Sequence, residues 1–290
     1  MSKAAESKIA EDNSSLSSLE LYLSQFSTYP TVSYEDIPDS PGGEIVYIES
    51  ERFIASSLYS SKKTYDEYSE NIQQLYKLTF ADPIVMEKFV IGTARTPEPF
   101  QFQGLVNSQS MRWEKGYPFA AFMVTDKETD TVVGYEVIGN TGIDNTGELV
   151  YLFNKHYHRS ETIQNVGYEN VGALCLVYGE SLFKAKKKVN QTYNEEKQKF
   201  DCGSEFIKLQ ATTRDDNPAS KRILEKVGCK YIKDDFKFEH NNHVFEREYT
   251  EITVVQEVGN SFYDNSITMG LMGEELMVSD VVHSNCCFIW

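Results

Sequence analysis

Residues 217–229 hold the feature that most constrains the fold, which is a short helix with both of its ends specified. The segment reads Asn-Pro-Ala-Ser-Lys-Arg-Ile-Leu-Glu-Lys-Val-Gly-Cys. Asn217 can cap the free amides of the first turn, and Pro218 stands where a missing N–H costs nothing. Ile223, Leu224 and Val227 recur at helical spacing, and Gly228 can take the left-handed conformation that ends a helix. The pattern therefore predicts one capped helix with a single apolar face.

The order of the remaining predicted elements indicates a mixed α/β protein. Runs rich in β-branched and aromatic residues predict strands at 44–56, 119–124, 131–138, 148–153, 206–212, 229–238 and 245–255. Helical periodicity predicts helices within 64–92, interrupted at Asp82-Pro83, and from Val171 to Leu182. The polar stretch 189–204 is predicted to be an enlarged loop. We predict a partly flexible extension over 1–43, one domain over 44–255 and an acidic extension over 256–290.

The charge of the chain lies mainly in its two flanks. The formal net charge is −16; residues 1–43 hold two Lys against seven Asp or Glu, and residues 251–290 hold six acidic residues without Lys or Arg. This balance argues against a nucleic-acid partner, which would need a basic face. No apolar run is long enough for a membrane span and the first residues lack a signal core, so we expect a cytoplasmic protein. The five cysteines lack metal-ligand spacing, so no metal site is predicted.

Four patches of the chain, taken in order, carry a family resemblance. They are residues 48–54, 78–86, 148–153 and 217–229. The first is similar to the first strand of the GNAT-superfamily N-acetyltransferases that act on ribosomal-protein N-termini, such as the alanine-specific branch. The second resembles that branch's Ser-Asp-Pro-x-Val-Met helix end, and the third its fourth strand, Glu-Leu-Gly-Tyr-Trp-Leu. The last resembles the superfamily signature Asn-x-x-Ser-x-x-x-Leu-Glu-Lys-x-Gly.

This resemblance implies a fold and a cofactor site. The fold is a central, mostly antiparallel sheet, splayed between the fourth and fifth strands and flanked by helices. The pantetheine arm of acetyl-CoA would lie in the splay and pair with the backbone near Leu152 and Phe153, as an added strand would. The pyrophosphate would lie at the N-terminus of the next helix, where the family has (Gln or Arg)-x-x-Gly-x-(Gly or Ala). This chain has Gln164, Asn165, Val166, Gly167, Tyr168 and Glu169 there.

Glu169 is a departure from the family pattern, which has a small residue at that position. Residues 158–163 also lengthen the approach to the loop. A carboxylate within ~5 Å of a diphosphate would be repelled by more than about 1 kcal/mol at an effective dielectric of ~20. Three outcomes are open: Glu169 points away, a cation such as Arg159 neutralises it, or acyl-CoA binding is weakened.

The resemblance also implies roles for three side chains. Glu148, at the mouth end of the fourth strand, would be the general base, acting directly or through water. Asn217 would orient the cofactor or a bound water, and Ser220, one turn further, would contact the pantetheine arm. A solvated strand-end glutamate and a simple helix cap are the alternative interpretations of Glu148 and Asn217.

The acid that protonates the departing thiolate is less clearly marked in the sequence. Leu224 stands where some relatives carry a tyrosine for this step. Tyr151 and Tyr231 are the substitutes that the chain offers. His156 and His158 lie near the cofactor loop as further bases, although two surface histidines in a polar loop are the simpler interpretation.

The expected activity is transfer of an acetyl group from acetyl-CoA to a primary amine, preferably a protein N-terminus. An α-amine has a pKa of about 7.7–8.0, against about 10.4 for lysine, so it needs less help to become neutral. Two alternatives stay open. One is a small cationic acceptor such as a polyamine or an aminoglycoside, and the other is a non-catalytic interaction module on the same fold.

Overall fold

The computed structural model describes residues 17–87, 89, 97–158, 166–237 and 240–250. Its helices are α1 (Ser18–Leu23), α2 (Glu70–Leu75), α3 (Pro83–Met86), α4 (Pro99–Glu114), α5 (Val166–Ala173), α6 (Gly179–Lys184) and α7 (Pro218–Lys226). π-Helical turns, Tyr76–Phe80 and Leu174–Tyr178, follow α2 and join α5 to α6. The helix predicted within 64–92 does stop at Asp82, whose side chain caps the new helix α3.

Thirteen strands are present in the described part of the chain. They are β1 (Thr31–Asp36), β2 (Glu44–Glu49), β3 (Phe53–Ser57), β4 (Ala121–Asp126), β5 (Thr131–Asn140), β6 (Thr146–Phe153), β7 (Lys188–Val189), β8 (Thr192–Asn194), β9 (Lys199–Asp201), β10 (Ser204–Glu205), β11 (Lys208–Arg214), β12 (Lys230–Lys237) and β13 (His240–Glu248).

Nine of these strands form one mixed but mostly antiparallel sheet in the order β1-β2-β3-β4-β5-β6-β11-β13-β12. Within the described part of the chain, β6 and β11 are the only strands that run parallel to each other. One face packs on α1, α5, α6 and α7, and the other on α2, α3 and the first half of α4, so each face has its own apolar core. The predicted fold class, a mostly antiparallel sheet flanked by helices, is confirmed.

The first predicted strand differs from the structure. Residues 44–56 form two antiparallel strands, β2 and β3, in which Tyr47 pairs with Ser56 and Glu49 with Ile54. The chain reverses at residues 50–52. Apolar and β-branched residues on both sides of the turn make the segment resemble one strand. The side chain that holds the turn, Glu169, belongs to a distant helix, so the local sequence does not predict the reversal.

The segment from Ser17 to Gly43 contacts the core directly. Ser17 and Glu20 form a capping box at the start of α1. Tyr22 is fully buried, and its hydroxyl donates to the carbonyl oxygen of Glu169 at 2.9 Å. The strand β1 then extends the sheet by pairing with β2. The predicted division of the chain at residue 43 remains a prediction, and the predicted C-terminal extension, 256–290, lies outside the described residues.

The predicted loop at 189–204 is more ordered than expected. It contains two small antiparallel pairs, β7 with β10 and β8 with β9. Asn190 joins this insertion to the turn after β5, since its side-chain oxygen accepts from the backbone amides of Thr141 (2.8 Å) and Gly142 (3.1 Å). The insertion therefore stands at the end of the sheet where β6 and β11 begin.

Candidate functional site

The strands β6 and β11 start side by side and then separate. Three parallel pairs join them, of which the last is Glu148 with Gln210. Beyond this point β6 stays paired with β5 as far as Phe153, and β11 with β13 as far as Arg214. Among the described residues, no further pair joins the two strands. The splay that the resemblance implied is therefore present, and it leaves one edge of β6 without a strand partner from Leu149 to Phe153.

Glu148 lies at the vertex of this splay and is half-buried. Side chains alternate between the faces of a strand, so Glu148 shares a face with Val150 and Leu152. Those two residues pack in the core formed with α2, α3 and α4. Leu149, in contrast, packs in the core beneath α5 and α7. The predicted base thus belongs to the α3 side of the sheet. Its catalytic role remains a prediction.

The helix α7 begins beside the open arm of the splay with the predicted cap. The side-chain oxygen of Asn217 accepts the backbone N–H of Ser220 at 3.2 Å. At the other end, Gly228 has a φ of +80°, the left-handed conformation expected of a residue that ends a helix. Both predicted helix ends are confirmed. The roles of Asn217 and Ser220 toward a cofactor remain predictions.

Tyr151 joins the two sides of the gap. Its hydroxyl lies 2.7 Å from the hydroxyl of Ser220 and 3.3 Å from the carbonyl oxygen of the same residue. Burial raises the pKa of Tyr151 well above its ordinary value, so the phenol stays protonated in the neutral range. Tyr151 of β6 therefore meets Ser220 and its cap Asn217 at the start of α7, while Glu148 lies at the vertex of the splay on the other face of β6.

Other candidates from the sequence lie elsewhere. Tyr231 is on the edge strand β12, half exposed, with its ring against His243 and Phe245. Leu224 is buried in the core. His158 is near the end of β6, where its Nε2 lies 2.8 Å from the carbonyl oxygen of Phe153.

The carboxylate of Glu169 is directed to the turn between β2 and β3. It is only 4% exposed, and its Oε1 accepts from the hydroxyl of Ser50 at 2.7 Å and from the backbone N–H of Arg52 at 2.8 Å. Burial raises the pKa of Glu169, although these two hydrogen bonds oppose the rise. These contacts favour the first of the three open outcomes, and the role of Glu169 toward a cofactor remains a prediction. Glu169 holds the turn between β2 and β3. This contact gives a structural reason for a glutamate at a position where the family pattern has a small residue.

The rest of the predicted pyrophosphate loop divides into described and undescribed residues. Gln164 and Asn165 lie outside the described residues. Val166 is buried, and a Cβ on Gly167 would lie 2.5 Å from Cδ1 of Ile223, so α5 and α7 are in close contact there. The ring of Tyr168 is buried against Tyr22, with the ammonium of Lys226 4.7 Å from its centroid. The Tyr168 side chain thus faces α1 and α7.

Two residues at the splay, Lys155 and Arg214, could not be predicted from the sequence. Lys155 follows β6 and forms an ion pair with Asp82 at 2.7 Å. Arg214 ends β11, and its Nη1 donates to the carbonyl oxygen of Glu87 at 3.2 Å. Both partners belong to the ends of α3, more than 70 residues away in the chain. Only the Asp82-Pro83 helix start carried a local signal of this arrangement.

Two kinds of feature are absent from the described residues. None of their clusters of His, Cys, Asp or Glu is suited to hold a metal ion. No described helix is long and apolar enough to cross a membrane.

The architecture is the GNAT acetyltransferase fold, as comparison with solved structures shows. The apo structure of RimL, a ribosomal L7/L12 alpha-N-protein acetyltransferase, has a TM-score of 0.50 at 10% identity and covers 73% of this chain and 99% of its own. A GNAT-family acetyltransferase from Bacillus anthracis has a TM-score of 0.47 at 18% identity over 70% of this chain and 98% of its own.

A ribosomal-protein-S5-alanine acetyltransferase from Vibrio fischeri has a TM-score of 0.48 at 10% identity, covering 71% of this chain and 97% of its own. No protein-family model and no curated protein matches the sequence. At 10% identity the likeness to RimL shows the fold alone, and the chemistry must be argued from the residues of the splay.

Proposed function

We propose that the chain transfers an acetyl group from acetyl-CoA to a primary amine, with a protein N-terminal α-amine as the preferred acceptor. The observation that carries this proposal is the splay itself. Three residue pairs join β6 to β11, and the last of them is at Glu148. From Leu149 to Phe153, that edge of β6 lacks a strand partner among the described residues. An amide-bearing arm such as pantetheine fits such an edge, because it supplies the N–H and C=O groups of an added strand.

The N-terminus of α5 supports the diphosphate end of the same ligand. Backbone amides and the helix dipole favour an anion there. The sequence raised the objection of a negative charge in this turn. That objection is weakened, because the Glu169 side chain is directed to the turn at Ser50 and Arg52 and its burial raises its pKa, which favours the uncharged form.

The proposed reaction is direct attack on the thioester. The neutral amine nitrogen forms a bond to the acetyl carbonyl carbon, the carbon–sulfur bond breaks, and the amine gives up a proton to Glu148, directly or through water. The thiolate takes a proton from Tyr151, whose hydroxyl reaches across the gap to Ser220, and solvent then reprotonates the phenol. Holding the reactants together and moving these protons are the tasks left to the protein.

Acetyl-CoA titration by calorimetry tests the proposal, followed by steady-state kinetics on Glu148→Gln. The change should depress kcat strongly and leave the cofactor Kd almost unchanged, because removing a general base costs roughly 10²–10⁴-fold in rate. Glu205→Gln, an exposed glutamate in the insertion, is the matched control. Absence of binding at millimolar acetyl-CoA contradicts the function; full activity of Glu148→Gln removes Glu148 as the base.

The acceptor is tested by comparing a peptide with a free N-terminus, its Nα-blocked form and spermidine at equal concentration. We expect acetylation of the free peptide to be the fastest of the three. Faster acetylation of spermidine would assign the chain to small cationic amines instead.

A further inference from the structure

The helix α3 connects the two arms of the splay. At its N-terminus, Asp82 accepts the backbone N–H of Ile84 at 2.9 Å through Oδ1 and pairs with Lys155 at 2.7 Å through Oδ2. Lys155 belongs to the turn that follows β6 directly. Burial opposes ionisation of Asp82, but the bonds from Lys155 and Ile84 outweigh it, so its pKa lies below the ordinary value. The β6 arm thus holds one end of α3.

The β11 arm holds the other end. Arg214, the last residue of β11, donates from Nη1 to the carbonyl oxygen of Glu87, the residue that caps the C-terminus of α3. Its other nitrogens form a two-pronged bond to Asp216, with Nε 3.0 Å and Nη2 2.9 Å from the carboxylate oxygens. The Arg214 side chain is 13% exposed, and the same Nη1 lies 3.3 Å from Nε2 of His240 at the start of β13. The fork to Asp216 fixes the guanidinium plane and so its direction toward α3.

The helix α3 packs on the side of the sheet that carries the predicted base. Val85 and Met86 are buried in the same core as Leu152 of β6. Leu152 shares its strand face with Glu148. The helix therefore packs on the same face of the sheet as the predicted base. Its outer side chain, Ile84, is 57% exposed, so the helix is also in contact with solvent.

We infer that α3 is a strap across the open end of the splay, and that Lys155 and Arg214 are positioning residues that set how the acceptor amine approaches Glu148. This inference rests on the proposed function. Neither side chain takes part in bond making. Each fixes one end of the strap to one strand arm, so that loss of either attachment lets the acceptor side of the site widen while the free edge of β6, where the cofactor pairs, stays intact.

The test uses the full chain with Lys155→Met and Arg214→Met, which keep the apolar stems and remove the attachments. Lys63→Met is the matched control, because Lys63 pairs with Glu114 at 3.4 Å at a site away from the splay. Hydrogen exchange of the backbone amides of α3 measures how firmly this helix is held in place, and it does not require catalytic turnover. We expect faster exchange there in both variants and unchanged exchange in the control.

Kinetics then separate positioning from general damage. We expect kcat/KM for the acceptor peptide to fall by roughly tenfold or more, because a small misplacement of a reactant is costly. The Kd for acetyl-CoA should stay unchanged by calorimetry. Arg214→Lys keeps the charge and one donor nitrogen but loses the planar fork, so it should lie between the wild type and Arg214→Met.

Two results overturn the inference. One is unchanged exchange of α3 in both variants, and the other is a loss of acetyl-CoA affinity as large as the loss in acceptor kcat/KM. Should Arg214→Met fail to fold, Lys155→Met and Arg214→Lys decide by the same criteria. If the wild type binds no acetyl-CoA, the proposed function fails by itself, and the exchange measurement still decides whether the strap exists.

Discussion

At the scale of single residues, the sequence predicts the structural role of a side chain well when its partners are close to it in the chain. The Asn217 cap reaches an amide three positions away, and Gly228 needs only its own left-handed φ. Glu169 is the opposite case. Its partners Ser50 and Arg52 lie 119 and 117 positions earlier in the chain, so a local pattern contains no sign of them. The same distance hid the turn between β2 and β3.

Glu136 provides a prediction at this scale. It is fully buried in β5, in register with Tyr151, and neither carboxylate oxygen has a hydrogen-bond partner among the described residues. Burial raises its pKa from 4.5 to about 8. Below pH ~4.5 the carboxyl is protonated in both the folded and the unfolded chain, so its titration does not change the free energy of unfolding there. As pH rises toward 8 only the unfolded chain releases the proton, so the free energy of unfolding falls.

Glu136→Gln removes this titration and keeps the shape of the side chain. The variant should therefore gain stability relative to the wild type by up to about 1.4 kcal/mol per pH unit between about pH 5 and pH 8. Urea unfolding of both proteins at pH 5, 6.5 and 8 measures the difference, and all other titrating groups cancel in it. Parallel stability profiles would show that the carboxyl is hydrated or paired in the folded protein.

At the scale of elements, most strands and helices could be predicted from periodicity and caps, but their contacts could not. The helix α1 illustrates this, because its residues read as an appendage in sequence. In the structure Leu19, Tyr22 and Phe26 are buried against α5 and α7. The ring of Tyr22 packs directly on Gly172 of α5, where a Cβ would overlap it.

Substitution of Gly172 by alanine tests this contact. In an open helix position the change should stabilise by about 0.5–1 kcal/mol, because glycine is the poorer helix former. Here the overlap with a buried tyrosine ring should reverse the sign and cost about 1–3 kcal/mol. Gly104→Ala in α4 is the control, since a Cβ there would meet nothing within 4 Å. Chemical unfolding of both variants gives the comparison; stabilisation by both changes would mean that α1 does not pack on α5.

At the scale of the whole molecule, the resemblance of four short patches predicted the sheet and its splay, although overall identity to solved GNAT structures is 10–18%. Two of the patches contain a capped helix start, at Asp82 and at Asn217, and a third is the strand at the splay. The insertion β7–β10 lies outside the patches, and the Asp82-Pro83 signal marked the start of α3 but not its contacts. The positions of these two elements depend on pairs between distant residues, such as Asn190 with Thr141 and Lys155 with Asp82.

The whole molecule should respond to acetyl-CoA in a way that locates the cofactor. A ligand that binds only the folded chain raises the free energy of unfolding by about 2.7 kcal/mol at 100 times its Kd. If the proposed function holds, hydrogen exchange should then slow in β6 and at the start of α5, because pantetheine would pair with the first and the diphosphate would bind at the second. Inorganic pyrophosphate, which lacks the amide arm, should slow exchange in α5 alone. Thermal unfolding and exchange mapping with both ligands measure this, and slowing confined to the β7–β10 insertion would place the cofactor outside the splay.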